Sequence, residues 1–265
     1  MKNIMLCKIL SIDKDPDMPV GMGGYGVRFE KQREYYTKLS FVDKQHYQEA
    51  ILQLCQSPDV YEANLGLYIA VELRDVFLAN WVEQIREVLN SLICRPIIPQ
   101  DENTASFVTF VAIFVYGDKT VLPYVVAYLK EITRSMEDRI LPKENWLVFY
   151  PLLCQILIKI SPADFWEEVN VFCNNVNTLA IISDSAKQVI RRWAGIGMEL
   201  YGAEWLAELA QKCAKTQNAS LKPLAYQSLK EAASGIEEKG NRIAFLELLE
   251  DLFYSNRGAA GTSAR

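Results

Sequence analysis

The chain has 265 residues, of which half are apolar and 23% are charged, a composition typical of globular proteins. Its formal net charge is −5, so it lacks the basic excess that attracts proteins to nucleic acid or anionic membranes regardless of sequence. Its one histidine, His46, excludes a metal site that needs several histidines from one chain.

The compartment is predicted from the N-terminus and the cysteines. No small-residue cleavage pattern follows the start of the chain, which argues against a signal peptide. The apolar stretches 107–116 and 146–160 are too short or too interrupted to span a bilayer. The six cysteines include no CxxC pair, which leaves a zinc site or a redox dithiol motif without support. We therefore expect a cytoplasmic chain with reduced cysteines that pack as small hydrophobes, and no metal or cofactor.

Residues 1–42 read as an irregular cap. Six prolines and glycines lie in the segment 13–26, which predicts a loop, with a short strand or helix before it and a polar helix over 28–36. The glycine run lacks the flanking pattern of a nucleotide-binding loop. It is more typical of a connector or of a loop that presents Met22 and Tyr25 to a partner.

Nearly all of the remaining chain has helical periodicity, with apolar residues spaced by three and four. Turn signals rich in Pro, Gly, Ser and Asp separate the helical stretches. The predicted helices span 43–56, 59–74, 79–94, 104–116, 119–135, 144–160, 163–175, 184–200, 203–215, 220–234 and 241–255.

Sharp breaks between helices recur at a nearly constant interval, and they end at Asp75, Asp118, Pro162 and Ala203. Two pairs of cysteines repeat at a similar interval, Cys55 with Cys94 and Cys173 with Cys213. A period of roughly 40 to 47 residues with two helices per unit indicates a stacked helical repeat.

Two stretches carry a family resemblance. Gln48–Cys55 followed by Ser57-Pro58-Asp59-Val60, and Phe114–Asp118 followed by Val121-Leu122-Pro123, resemble the helix joints of HEAT and armadillo-type repeats. The resemblance implies an all-α, right-handed solenoid of about five HEAT-like helix pairs over 43–256. Residues 1–42 would form the irregular cap, and residues 257–265 a disordered tail. Tyr61 departs from the arginine usual in the family, and Pro151 predicts a kink within its helix.

The candidate binding residues are acidic. Asp101, Glu102, Glu137 and Asp138 fall in the two long predicted inter-repeat loops. Equivalent loops of a solenoid lie along one edge, so these acids could form a negative strip for a basic partner, although ordinary solvated loop charge explains them more simply. Together with Met22 and Tyr25 they are the predicted partner-binding set.

The function expected from the resemblance is non-enzymatic protein binding. An acidic single-domain solenoid also resembles bacterial immunity proteins, which bind and block a cognate toxin, here a basic toxin domain. Arg191-Arg192-Trp193 keeps a second possibility open, since it resembles features of the HEAT-like DNA glycosylases that repair alkylated bases. A regulatory adaptor is the third. We predict no catalytic residue and no membrane or nucleic-acid partner.

Overall fold

The computed structural model describes residues 2–14, 22–93, 104–137, 143–174 and 183–254. These residues contain helices and no strand, which confirms the all-α prediction. The α-helices are α1 Lys2–Asp13, α2 Met22–Thr37, α3 Phe41–Cys55, α4 Val60–Glu72, α5 Trp81–Ile93, α6 Thr104–Tyr116, α7 Leu122–Glu137, α8 Lys143–Ile160, α9 Pro162–Asn174, α10 Ser183–Tyr201, α11 Ala203–Ala214, α12 Leu221–Ala232 and α13 Lys239–Tyr254.

The predicted irregular N-terminus is wrong in one respect. Met22 begins α2, so the glycine-rich stretch 22–26 is helical where a loop was predicted. Glycine disfavours helix on its own, but α2 gains tertiary contacts. The Gln32 Nε2 atom donates 2.9 Å to the Ile9 carbonyl of α1, and the Arg33 guanidinium donates to both Asp75 carboxylate oxygens and to the Glu72 carbonyl. The tertiary contacts of α2 therefore outweigh the low helix propensity of its glycines.

The other helix boundaries follow the predicted breaks closely. Ser40 and Asp59 cap α3 and α4 by accepting hydrogen bonds from backbone N–H groups of the first turn. Between α10 and α11 the turn consists of Gly202 alone, with φ of 77°, a left-handed conformation that favours glycine. The helix α8 continues through Pro151.

The chain divides into two compact units, residues 1–121 and 122–265. In the first unit, each helix packs against sequence neighbours and also against the helix two positions away, as in α1 with α3, α2 with α4, α3 with α5 and α4 with α6. The second unit shows the same order, with α8 against α10, α10 against α12, α9 against α11 and α11 against α13. Within each unit, alternate helices therefore form neighbouring rows.

Burial recurs along the chain at a constant interval. Each of the following residues has at most 8% of its surface exposed: Ile85, Val125, Phe165, Trp205 and Phe245 on the odd-numbered helices α5 to α13, and Ile69, Thr109, Phe149, Val189 and Leu229 on the even-numbered helices α4 to α12. Neighbours in each series are separated by about 40 residues, so the same face of each alternate helix is turned inward. The period predicted from the turn signals reappears in the burial pattern, at the short end of the predicted range.

A buried Tyr–Gln network joins the elements of the first unit. Tyr36 Oη donates 2.7 Å to Gln48 Oε1, which also accepts from the backbone N–H of Leu78 at 2.9 Å. Tyr47 Oη donates 2.7 Å to Gln32 Oε1. Because each amide oxygen has its donor, these polar groups can remain buried at little cost. Desolvation raises the pKa of Tyr36 to about 12, so the donor hydroxyl stays protonated.

Gln48→Ala should destabilise the first unit by about 2–4 kcal/mol, because it leaves the Tyr36 hydroxyl and the Leu78 N–H without their acceptor and removes buried volume. Gln45→Ala is the matched control, since Gln45 is exposed on the same helix and should change stability by less than about 0.5 kcal/mol. Urea unfolding followed by circular dichroism measures both. Equal midpoints for the two variants would contradict the role given to Gln48.

Two glycines of α10 form a second matched pair. A methyl group built at Gly197 would overlap the indole ring of Trp205, whereas one built at Gly195 meets nothing within 4 Å. Gly197→Ala should therefore cost about 1–3 kcal/mol through overpacking, while Gly195→Ala should stabilise by up to about 1 kcal/mol through helix propensity. Thermal unfolding of the two variants measures this, and a shift of the same sign in both would refute the close approach.

Candidate functional site

None of the predicted binding residues has a side chain that the structure describes. Asp101, Glu102 and Asp138 lie outside the described residues. Glu137 is the last residue of α7, so it belongs to a helix end and not to the predicted loop. Met22 and Tyr25 lie in the first turns of α2, and for these two and Glu137 the structure describes the backbone alone. The acidic loop strip therefore remains a prediction.

The other residues singled out in the sequence have structural surroundings. Trp193 of α10 is fully buried. Arg191 pairs with Glu231 of α12. His46 is half-buried on α3, and its Nδ1 atom has no hydrogen-bond partner among the described residues. Within that part of the chain, no cluster of three or more His, Cys, Asp or Glu side chains could hold a metal ion.

The second unit contains a carboxyl group in an apolar setting. Glu168 of α9 accepts a 2.8 Å hydrogen bond from Tyr150 Oη of α8. Tyr150 is also in contact with the Cys154 thiol. Burial raises the pKa of Glu168 above its ordinary value of 4.5, and the Tyr150 hydrogen bond offsets part of that effect. Glu168 is thus an acid whose charged form is disfavoured by its surroundings.

Aromatic rings pack beside this polar group. Tyr150 contacts Trp193 with ring centroids 6.3 Å apart, and Trp193 meets Phe165 edge-on at 5.3 Å. Trp166 and Trp205 lie 4.4 Å apart. Trp205 is 5% exposed, and its indole N–H has no partner within the described chain. These ring contacts join α8 to α11 beside Glu168, whose carboxyl group is desolvated by burial.

An acidic face lies on α9, α11 and α13. Among the described residues of these helices, the exposed charged side chains are acidic apart from Lys239. Hereafter "acidic face" means these acids: Glu167, Glu204, Glu208, Glu247, Glu250 and Asp251. Because α9 packs against α11 and α11 against α13, the three helices lie in one row, and their acids are on adjacent helices of that row. The even-numbered α10 and α12 instead expose an excess of cations, namely Arg191, Arg192, Lys222 and Lys230 against Glu199 and Glu231.

A sequence signal for the acidic face exists but was missed. Residues 162–174 and 202–214 align with each other without a gap. The alignment pairs Asp164 with Glu204, Phe165 with Trp205, Glu168 with Glu208, Val169 with Leu209 and Cys173 with Cys213. Outward positions of this repeat carry Glu204 and Glu208 of the acidic face, whereas the predicted acids were assigned to the long loops, and their side chains lie outside the described residues.

Comparison with known proteins adds no relative. No family model matches the chain, and no significant match is found among the curated proteins or the solved structures. A search of the described helices for a membrane-spanning segment finds none with the required length and hydrophobicity. The arguments for function therefore depend on the residues themselves.

Glu168→Gln should stabilise the second unit at neutral pH. The folded pKa is raised, so the unfavourable contribution of Glu168 is absent below the unfolded pKa near 4.5. It grows as the pH rises through that value and is complete above the folded pKa. The gain from the amide, which keeps an acceptor for Tyr150, should therefore be present at pH 7 and vanish at pH 3.5–4.

Thermal unfolding over this pH range measures the effect. Glu167→Gln is the matched control, because Glu167 is exposed on the same helix, and its substitution should give a small shift. An equal gain for Glu168→Gln at all pH values would show that the effect does not arise from the ionisation of Glu168.

Proposed function

We propose that the chain is a non-enzymatic, protein-binding α-solenoid of HEAT-like helix pairs, and that its acidic face binds a basic surface of the partner. The observation that carries the proposal is the presentation of acids on three helices that pack in one row. Charge of one sign spread over such a row suits a complementary protein surface, where it accelerates association and selects the partner.

Contacts between residues one repeat apart support the repeat part of the proposal. Tyr201 Oη donates to the Ile158 carbonyl across 43 residues, and Ser228 Oγ donates to the Lys187 carbonyl across 41. Thr216 Oγ1 likewise donates to the Cys173 carbonyl across 43 residues. Contacts at a nearly constant separation are what stacked copies of one unit produce, since each repeat touches the next in the same way.

A bacterial immunity protein is the specific form of this proposal. Its partner would be a basic toxin domain whose active site the acidic face covers, so that charge complementarity gives tight, stoichiometric inhibition. A regulatory adaptor would use the same surface without inhibiting an enzyme. An immunity protein abolishes the activity of its bound partner, whereas an adaptor leaves that activity intact.

One observation bears on the enzymatic alternative. An alkylated-base glycosylase would need the Arg191-Arg192-Trp193 segment to face its substrate. Trp193 is fully buried and Arg191 is paired with Glu231. Both contacts serve packing, which makes binding the better-supported proposal.

Reversing charge on α11 tests the proposal. The double variant Glu204→Lys, Glu208→Lys should weaken partner binding by at least about tenfold at low salt, with the difference shrinking as salt screens the charges. Glu83→Lys with Glu87→Lys is the matched control, because those two acids have the same spacing, are exposed and lie on α5. It changes the net charge equally and should leave affinity within about twofold.

The partner is first recovered from the native host as a complex of equal stoichiometry, identified, and purified for calorimetry with each variant. Growth arrest by the partner that co-expression of the chain relieves would identify immunity. A partner that keeps its activity in the complex would favour the adaptor. Equal loss of affinity in both charge variants, or no stoichiometric partner, would contradict the proposed acidic interface.

A further inference from the structure

The two cysteines at the ends of α9 and α11 lie next to each other. The Thr216 backbone N–H donates 3.2 Å to the Cys213 carbonyl, while the Oγ1 atom of the same residue donates to the Cys173 carbonyl. Each thiol shifts the pKa of the other, and the residues are 3% and 0% exposed. Cys173 is the next-to-last residue of α9, and Cys213 is the next-to-last residue of α11. The repeat predicts this meeting, since the two cysteines occupy the same position in successive copies.

Other contacts hold the two helix ends in this arrangement. Thr216 Oγ1 donates to the Cys173 carbonyl and accepts from the backbone N–H of Asn218 at 3.1 Å. The backbone after Cys213 is thereby tied to the backbone at Cys173. The fold therefore holds the two cysteines next to each other.

We propose that Cys173 and Cys213 form a redox-responsive pair, which a hydroperoxide converts in the folded chain to a disulfide that joins α9 to α11. Two of the helices that bear the acidic face would then be covalently linked. The inference concerns a second property of the chain and stands whether or not the acidic face binds a partner.

The chemistry balances with one hydroperoxide per pair. The Cys173 thiolate attacks the peroxide, the O–O bond breaks, and an alcohol (water in the case of hydrogen peroxide) leaves as Cys173 becomes a sulfenic acid. The Cys213 sulfur then attacks the Cys173 sulfur, and water leaves as the S–S bond forms. Two thiols are oxidised, and one peroxide is reduced.

The structure distinguishes the two sulfurs. Cys173 is the slightly more exposed of the two, at 3% against 0%, and the neighbouring Cys213 thiol lowers the pKa of the Cys173 thiol. A thiolate is the reactive nucleophile, which assigns the first attack to Cys173 and the resolving step to Cys213.

Peptide mapping of the intact, folded protein tests the pair. After treatment with hydrogen peroxide and blocking of free thiols, trypsin should yield residues 160–187 linked to the tripeptide 213–215, with a mass two hydrogens below the sum of the two. Cys154, buried against Tyr150 and Trp193, serves as the internal control and should remain blocked as a free thiol. Dithiothreitol should reverse the link and the accompanying rise in Tm.

Cys213→Ala should leave Cys173 at the sulfenic stage, detectable with a sulfenic-specific dimedone adduct. If the Cys213→Ala variant does not fold, the peptide map of the wild-type protein still tests the proposal. Free Cys173 and Cys213 after oxidation, linkage of either to another cysteine as the main product, or equally fast linkage in urea-unfolded chain would overturn the proposal.

Discussion

The inward face that recurs once in every repeat is the constraint on which the rest of the structure depends. Helices of 12 to 19 residues are marginal alone in water and gain stability by burying an apolar face. In the second unit, Phe165, Trp205 and Phe245 occupy that face at equal spacing, so α9, α11 and α13 are held in one register. That register brings Cys173 to Cys213 and places the acids of α9 and α11 on adjacent helices of one row.

The two units treat buried polar groups differently. In the first, the oxygens of Gln32 and Gln48 accept hydrogen bonds from tyrosine hydroxyls. A neutral amide has a small desolvation cost, and its partners offset it. In the second, Glu168 has a tyrosine donor but carries a charge that burial disfavours. The Tyr–Gln hydrogen bonds of the first unit fix how its helices pack. The buried carboxyl group of Glu168 makes the stability of the second unit depend on pH.

The sequence predicted the helix boundaries well because local chemistry marks them. Ser40, Asp59 and Gly202 act through caps or a turn that involves only their own neighbours. The glycine-rich start of α2 was not predictable in that way. Its helix is stabilised by Gln32 and Arg33 contacts to distant residues, which no local pattern reveals.

Prediction of surface chemistry was limited for another reason. Net charge sums the acidic face with the cations exposed on α10 and α12, so opposite charges cancel in the total. In α13 the helical spacing of apolar residues includes Ile243, Phe245 and Leu249, yet Ile243 is 46% exposed whereas the other two are buried. Period alone identifies the stripe but not its width, which depends on how far α11 and α12 cover α13.

Departures between copies of the repeat indicate where the chain has specialised. Glu168 and Glu208 share one repeat position, yet Glu208 is exposed and Glu168 is half-buried. The difference traces to the neighbouring even-numbered helix, because Tyr150 offers a hydroxyl to Glu168, and the residue at the same place in the next copy is the apolar Ile190. Packing alone would favour an apolar residue beside Trp193 and Cys154 as well. A carboxyl group at Glu168 lowers the free energy of unfolding at neutral pH. Residues that lower stability in this way are concentrated at positions that serve a function other than stability.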